Sequence, residues 1–565
     1  MNNELQSYDE WIKNHKPPIE ELSKQREYNF NKNYKISLVV PVYNTVLSHL
    51  TDMFDSVLNQ TYSNWEICVT DGYSDSDELR NVIIKYATND IRIKYDFLNK
   101  NLGISKHTNN SIDMSSGEYI AFLDSDDMLY SDALYEVVKA INEYHEPDLI
   151  YTDSDHYLED KQKYGGLLLK TCKNPILSTM LNYIIHLVVI KKEVIYDMGL
   201  LDSNFDRIQD HDITFKIFEN NKKIYHIPKV LYTWRQHSEQ TNQIANKTDE
   251  EKNEFSKFVI KCRKEHLKRL CVNDEIIEWY YGGVKPIDLF IYISVIIPFY
   301  GGIDRLKNCI GSLYNNQNAF DMEIIIINFS NIDEDTKLLS SDDWSSMPLI
   351  KIISQSYDKE NIAEGLNYAA HIAQGNYLLF LNSHTLLNQE NILYELIKYI
   401  HYPMTGAAGC KINYMNEVDH VVSIGGQEYI GSNYPLNKYF NRKSTMESKN
   451  LTTSFIDFNY KGVYNVSSIT DAFCLIKKDI FDKINGFNKK YPLTLFMMDF
   501  CLRLNKLGYY NIVYGSANIN FWQREHPLFF DAVKQFSKEK MKFEKEYSDV
   551  LNTCDPFINP NIKIY

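Results

Sequence analysis

The chain repeats itself, and that repeat limits its fold more than any other feature. Ile36-Ser-Leu-Val-Val-Pro-Val-Tyr-Asn44 recurs 257 residues later as Ile293-Ser-Val-Ile-Ile-Pro-Phe-Tyr-Gly301. At nearly the same offset, Glu66-Ile-Cys-Val-Thr-Asp71 returns as Glu323-Ile-Ile-Ile-Ile-Asn328. Gly117-Glu-Tyr-Ile-Ala-Phe-Leu-Asp124-Ser-Asp126 likewise returns as Gly375-Asn-Tyr-Leu-Leu-Phe-Leu-Asn382-Ser-His384. One plan used twice predicts tandem units, and 565 residues are too many for one core.

Each unit opens on a β-branched run that ends at Pro, the pattern of a strand buried on both faces of a mostly parallel sheet. Helical periodicity follows, with Leu50, Met53, Phe54, Val57 and Leu58 on one face. This alternation predicts two α/β domains whose ligands sit at the C-terminal strand ends, where Asp71 and Asp124 fall. The expected division is a helical extension over 1–34, a first domain over 35–240, a helical connector over 241–290, a second domain over 291–530 and a helical tail over 531–565. In the connector, Phe255, Phe258, Val259, Cys262, Leu267 and Leu270 share one helical face opposite Lys and Arg. That pattern suits a packed connector, and a membrane-surface helix is the alternative.

An apolar fraction of 44% and a charged fraction of 24% exclude a disordered chain, and a net charge of −15 argues against nucleic-acid binding. The nine cysteines are scattered singly, without a CxxC pair, so neither a disulfide framework nor a zinc site is expected. The N-terminus lacks the basic and apolar regions of a signal peptide, and no apolar run reaches bilayer length. A cytoplasmic location is the expectation.

Four stretches carry candidate chemistry. Asp124-Ser-Asp126-Asp127 follows a buried strand, and carboxylates clustered there either cap the helix from Ser131 onward or hold Mg²⁺ or Mn²⁺ against a diphosphate. Asp71 stands at another strand end, where a carboxylate can accept from a nucleobase imide. Gln209-Asp210-His211-Asp212 opens a helix, either as first-turn acids or with a general base for an acceptor hydroxyl. Trp234-Arg235-Gln-His237 offers a guanidinium for phosphate and an imidazole for phosphate or metal.

Together with Val39-Val-Pro-Val-Tyr-Asn44, Asp71-Gly-Tyr-Ser-Asp75 and His226-Ile-Pro-Lys-Val-Leu-Tyr-Thr-Trp-Arg-Gln-His237, these stretches make the first repeat resemble a family 2 glycosyltransferase. Tyr8-Asp-Glu-Trp11 and Glu265-His-Leu-Lys-Arg269 resemble tandem bacterial members that build O-antigen, capsule or rhamnan chains. The resemblance implies the GT-A fold, a Rossmann-like nucleotide-diphospho-sugar transferase domain, in both units. It implies that Asp71 contacts the base beside Pro41, Tyr43 and Asn44. Asp124 would reach ribose or metal, and Asp126, with Asp124 and His237, would ligate Mn²⁺ or Mg²⁺. Arg235 would stabilise the diphosphate, and Asp210 would be the base of an inverting displacement, with Asp212 and Gln209 in support. The implied donor is UDP- or dTDP-linked and the implied acceptor a glycan or lipid-linked glycan, compatible with peripheral contact at the inner face of the plasma membrane.

In the second repeat, Asn328, Asn382 and His384 replace Asp71, Asp124 and Asp126, and Met497 stands where Asp210 does. The stretch Phe521-Trp-Gln-Arg-Glu525 replaces Trp234–His237, with His526 nearby. A catalytically degenerate second domain is therefore expected. The competing readings are a bifunctional polymerase, a non-catalytic scaffold of an assembly complex, and a nucleotidyltransferase that would release pyrophosphate.

Overall fold

The computed structural model describes residues 8–171, 173–237, 248–281, 283, 285–286, 288–314, 320–330, 333–339, 350–353, 361–414, 421–423, 462–493, 495–521 and 539–551. These residues divide after Cys271 into two compact units.

The first unit is built on nine strands: β1 (Ile36–Val42), β2 (Trp65–Asp71), β3 (Ile93–Phe97), β4 (Tyr119–Phe122), β5 (Met128–Leu129), β6 (Leu149–Leu158), β7 (Lys163–Leu168), β8 (Val188–Lys191) and β9 (Ile224–Gln236). Their order is β3-β2-β1-β4-β8-β6-β9-β5, with β7 beside β6. The strands β3, β2, β1 and β4 are parallel, and β8 then runs antiparallel to β4. The apolar runs of β1 and β2 are almost wholly buried, as a central sheet covered on both faces requires. Leu50, Met53, Phe54 and Val57 of the helix Leu47–Leu58 fill the core below, while Leu58, in the last turn, is exposed.

The second unit repeats this order strand for strand. Ile350–Ile353, Asp321–Asn328, Tyr292–Phe299, Tyr377–Leu381, Phe473–Lys477, Thr405–Tyr414, Tyr510–Phe521 and Thr385–Leu387 follow one another across its sheet. Even the pairing registers agree, Val42 facing Asp71 as Phe299 faces Asn328.

Ahead of the first sheet lie the helices Tyr8–His15 and Ile19–Glu27. Trp11 packs on Leu167, Leu169 and Val230, and the Tyr8 hydroxyl donates to Asp155 at 2.5 Å. The helix Asp249–Arg269 starts from a capping box between Thr248 and Glu251. It packs on the helix Gln209–Glu219: His266 stacks on Phe215 at 4.0 Å, and Arg269 pairs with Glu219 at 2.7 Å and with Asp212 at 3.2 Å. Cys262 and Leu267 of its apolar face are buried there, while Phe258 stays exposed. No described helix is long and apolar enough to cross a membrane.

Candidate functional site

A cavity of about 650 Å³ opens at the C-terminal ends of β1 and β4. Its walls include the turn Pro41–Asn44, Asp124, Asp126, Gln209, Asp210 and His237, the stretches singled out in the sequence. The turn after β1 is held in shape. Asn44 has φ 51°, a left-handed conformation that Asn tolerates better than most residues. Its side chain donates to Asp75 at 3.0 Å and accepts from the Asp75 amide at 2.9 Å, while its own amide donates to Ser74 Oγ at 2.8 Å. The exits of β1 and β2 are thereby stapled together, and Tyr43 is left half-exposed at the rim.

The acidic turn divides its labour. Asp127 is buried and accepts from the Tyr232 hydroxyl at 2.5 Å and the Arg235 amide at 2.8 Å, anchoring the turn to β9. Asp124 and Asp126 line the cavity, and Asp126 Oδ2 lies 3.0 Å from His237 Nε2. Burial, with the charges of Asp126 and Asp210 added, pushes the Asp124 carboxyl up to about 7. A divalent cation would relieve the part of that rise that comes from the neighbouring Asp126 and Asp210 charges. By type, two carboxylates and an imidazole are donors that Mn²⁺ or Mg²⁺ accepts, but Asp124, Asp126 and His237 are not among the described groups whose ligand atoms all lie within 4.8 Å of one another. Two groups do so: Asp124, Asp127 and His186, and His49, Glu159 and His237.

Asp210 is the second residue of the helix Gln209–Glu219 and faces the same cavity. Asn182 Nδ2 donates to its Oδ2 at 2.8 Å, which fixes the carboxylate's orientation. Burial raises the Asp210 carboxyl above its ordinary range; the bonds from Asn182 and the His211 amide offset part of that rise. A partly exposed, oriented carboxylate with raised basicity at the cavity wall suits proton abstraction from a hydroxyl.

Three expected residues are placed elsewhere. Asp71 is fully buried behind the wall, where Arg80 Nε pairs with it at 3.0 Å and the Ser74 amide donates to it. Its carboxylate therefore closes the β2 exit and does not line the cavity. The Arg235 guanidinium is turned to Asp52 Oδ2 at 2.6 Å and to the Asp126 carbonyl at 2.9 Å. It braces the acidic turn from outside, and its neighbours Trp234 and His237 line the cavity in its place. Asp212 points away, into ion pairs with Lys216 at 2.8 Å and Arg269 at 3.2 Å. The lining also includes His49, His107 and His186, for which the sequence holds no signal: isolated histidines in apolar segments read as core. His49 bonds Glu159 at 2.7 Å and its ring lies 4.7 Å from that of His237.

At the matching places of the second unit, the Asn328 side chain accepts from the Ser330 amide at 2.9 Å and donates to Thr336 at 3.2 Å. Asn382 Oδ1 accepts from the His384 amide at 3.0 Å. Met497 is buried in the first turn of the helix Phe496–Lys506. Trp522–His526 lie outside the described residues.

Residues 37–197 and 294–484 match the model of "Glycosyl transferase family 2". The chain is similar to "Uncharacterized protein y4gI" of Sinorhizobium fredii, at 27% identity over 94% of this chain and 58% of that protein. It is similar to "O-antigen biosynthesis protein RfbC" of Myxococcus xanthus, at 25% identity over 89% of this chain and 38% of that one. A shorter stretch, 19% of this chain and 35% of the relative, is 40% identical to the "GalNAc(5)-diNAcBac-PP-undecaprenol beta-1,3-glucosyltransferase" of Campylobacter jejuni. The chain thus spans less than two thirds of the length of each of these relatives.

Proposed function

Because this chain belongs to glycosyl transferase family 2, we propose that its first unit transfers a sugar from a nucleoside-diphosphate donor, UDP- or dTDP-linked, to a glycan or lipid-linked glycan. The setting is the assembly of a bacterial surface polysaccharide. The observation that carries this reading is the meeting of Asp124, Asp126, His237 and Asp210 in one cavity beside the β1 turn. The similarity to proteins named for O-antigen biosynthesis and for transfer to an undecaprenol-linked glycan supports the pathway and the acceptor class.

Each residue then has a task. Asp124, Asp126 and His237 would hold Mn²⁺ or Mg²⁺, which when bound neutralises charge on the leaving diphosphate. Asp127 and Arg235 keep the acidic turn in place through Tyr232, Asp52 and the Asp126 carbonyl. Asp210, oriented by Asn182, takes the proton of the acceptor hydroxyl as its oxygen attacks the anomeric carbon. A single base and no covalent intermediate give one displacement, hence inversion. Gln209 borders the same space. The second unit lacks the equivalents of these acids and serves as a binding or scaffolding module.

The test is transfer from a panel of UDP- and dTDP-sugars to glycan and lipid-linked acceptors, with Mn²⁺ or Mg²⁺, and the product anomer read by NMR. Transfer with inversion, lost in Asp210→Asn, is the expected result. Retention of configuration, or full activity of Asp210→Asn, would sink the mechanism, and pyrophosphate release would favour a nucleotidyltransferase.

A further inference from the structure

The cavity has a second end, lined also by Gly103, Asp206 and Arg207, and one histidine there is set up as a hydrogen-bond donor. His107 lies in the first turns of the helix Ile104–Met114 and lines the cavity while only 3% exposed. Its Nε2 accepts the Leu102 amide proton at 3.1 Å. A ring nitrogen that accepts from a backbone N–H carries no proton, so the proton of the neutral ring sits on Nδ1. Burial holds the imidazole below its usual pKa, partly countered by Asp206 and Asp71, which keeps it neutral. No described group bonds Nδ1. The ring is pressed on Gly72, where a Cβ would come within 2.0 Å of the His107 ring carbon Cε1. Gly72 follows β2, two strands across from the end of β4, which carries Asp124. Adjacent strands lie about 4.8 Å apart, so the two ends of the cavity are about 10 Å apart, a gap a ribose can bridge between diphosphate and base.

Resting on the nucleotide-sugar reading above, we propose that His107 reads the donor's nucleobase, its Nδ1–H donating to a ring carbonyl, and thereby selects a 4-keto pyrimidine over cytosine. Asp71, the carboxylate expected in that role, is spent on Arg80. A cytosine would turn its 4-amino group, a donor, toward the donor Nδ1–H. Such a mismatch leaves both groups unpaired in a buried place.

The experiment is calorimetric titration of UDP, dTDP and CDP, each with Mn²⁺, into the full chain and into His107→Leu and His107→Asn. Wild type should bind UDP and dTDP at least about ten-fold more tightly than CDP, the worth of one such hydrogen bond. His107→Leu should bring the UDP-to-CDP ratio close to one, even if the loop at Leu102 loosens and all affinities fall. His107→Asn, which offers both an acceptor for Leu102 and a donor, should restore the preference. Wild type that binds CDP as well as UDP overturns the assignment without any variant. An unchanged ratio in His107→Leu overturns it as well and returns His107 to a packing role. Failure of every nucleoside diphosphate to bind wild type would instead strike the nucleotide-sugar reading itself.

Discussion

The two units share a topology but not a chemistry, and the acids they keep differ from the acids they lose. Beneath the first sheet, Ser37 donates to the buried Glu66 at 2.7 Å and accepts from the Gly117 amide at 2.9 Å. In the second, Ser294 donates to Glu323 at 2.7 Å and accepts from the Gly375 amide at 2.8 Å. Both glycines are required, since a Cβ would sit 2.5 Å from a backbone carbonyl at either one. At the cavity end of the same strands, the acids Asp71, Asp124, Asp126 and Asp210 give way to Asn328, Asn382, His384 and Met497. The nucleobase end changes too, and by exchange of size. Gly72 and His107 correspond to Phe329 and Gly365, each pair fixed by equivalent backbone bonds. Phe329 is buried and stacks on Tyr300 at 5.6 Å, so aromatic rings fill the space an imidazole borders in the first unit. The acid that ties strands together is held in both units, whereas the acids that line the cavity, and Asp71, which pairs with Arg80 behind its wall, are kept in the first unit alone.

The largest test of that contrast is at the base. Asp210→Asn keeps shape and the Asn182 contact but removes basicity, and should lower the transfer rate by about 10²–10⁴-fold with nucleotide binding kept. Met497→Asp, which writes the acid back into the second unit, should add no measurable transfer. Activity from Met497→Asp in an Asp210→Asn background would break the contrast. Next in size, Asp126→Ala should abolish metal-dependent binding of UDP in a titration, while His384→Ala leaves it unchanged. Two binding sites, or loss through His384→Ala, would revive a bifunctional polymerase. Smaller is the size exchange itself. Gly72→Ala should cost about 1–3 kcal/mol by overpacking against His107, read as a drop in melting temperature. Adding His107→Gly should recover most of that loss, and a double variant no better than the single would show that the two positions do not share one space.

The repeat made the architecture legible, because period-2 and period-3.6 patterns returned in the same order and each needed the same burial. Asp124, Asp126, Asp210 and His237 were legible for a related reason: they close strands or open helices, and those ends converge in a parallel sheet. Asp71 and Arg235 carry the same positional signal, yet each is claimed by a partner on a helix packed beside its strand, Arg80 for one and Asp52 for the other. Charge pairing of that kind is set by tertiary approach, which spacing does not encode. His107 was invisible for the opposite reason. Its meaning rests on the absence of a side chain at Gly72 and on one backbone amide at Leu102, neither of which marks a histidine as functional.

The smallest effect concerns what the units have in common. Burial alone would raise the Glu66 carboxyl, but bonds from Lys35, Lys94, Ser37 and the Ser116 amide outweigh it and hold it well below the ordinary carboxylate range. Glu323 is likewise raised by burial and lowered further by Lys351, Ser294 and the Gln374 amide, with a net fall. A carboxyl depressed in the folded state stabilises fully above its unfolded value of 4.5, and that contribution is lost as pH falls toward the folded value. Glu66→Gln and Glu323→Gln should each cost about 1–3 kcal/mol near pH 7, because buried donors lose a charged acceptor. The cost should shrink below pH 4.5, where the carboxyl of the unfolded wild-type chain takes up a proton that the folded one does not, so that wild type loses stability toward the level of the variants. Melting curves of both variants at pH 7 and pH 3.5 read this directly. Equal costs in the two units would mark the Ser–Glu–Gly tie as a framework device independent of catalysis, whereas a cost confined to Glu66 would mean that even the shared frame has been relaxed in the second unit.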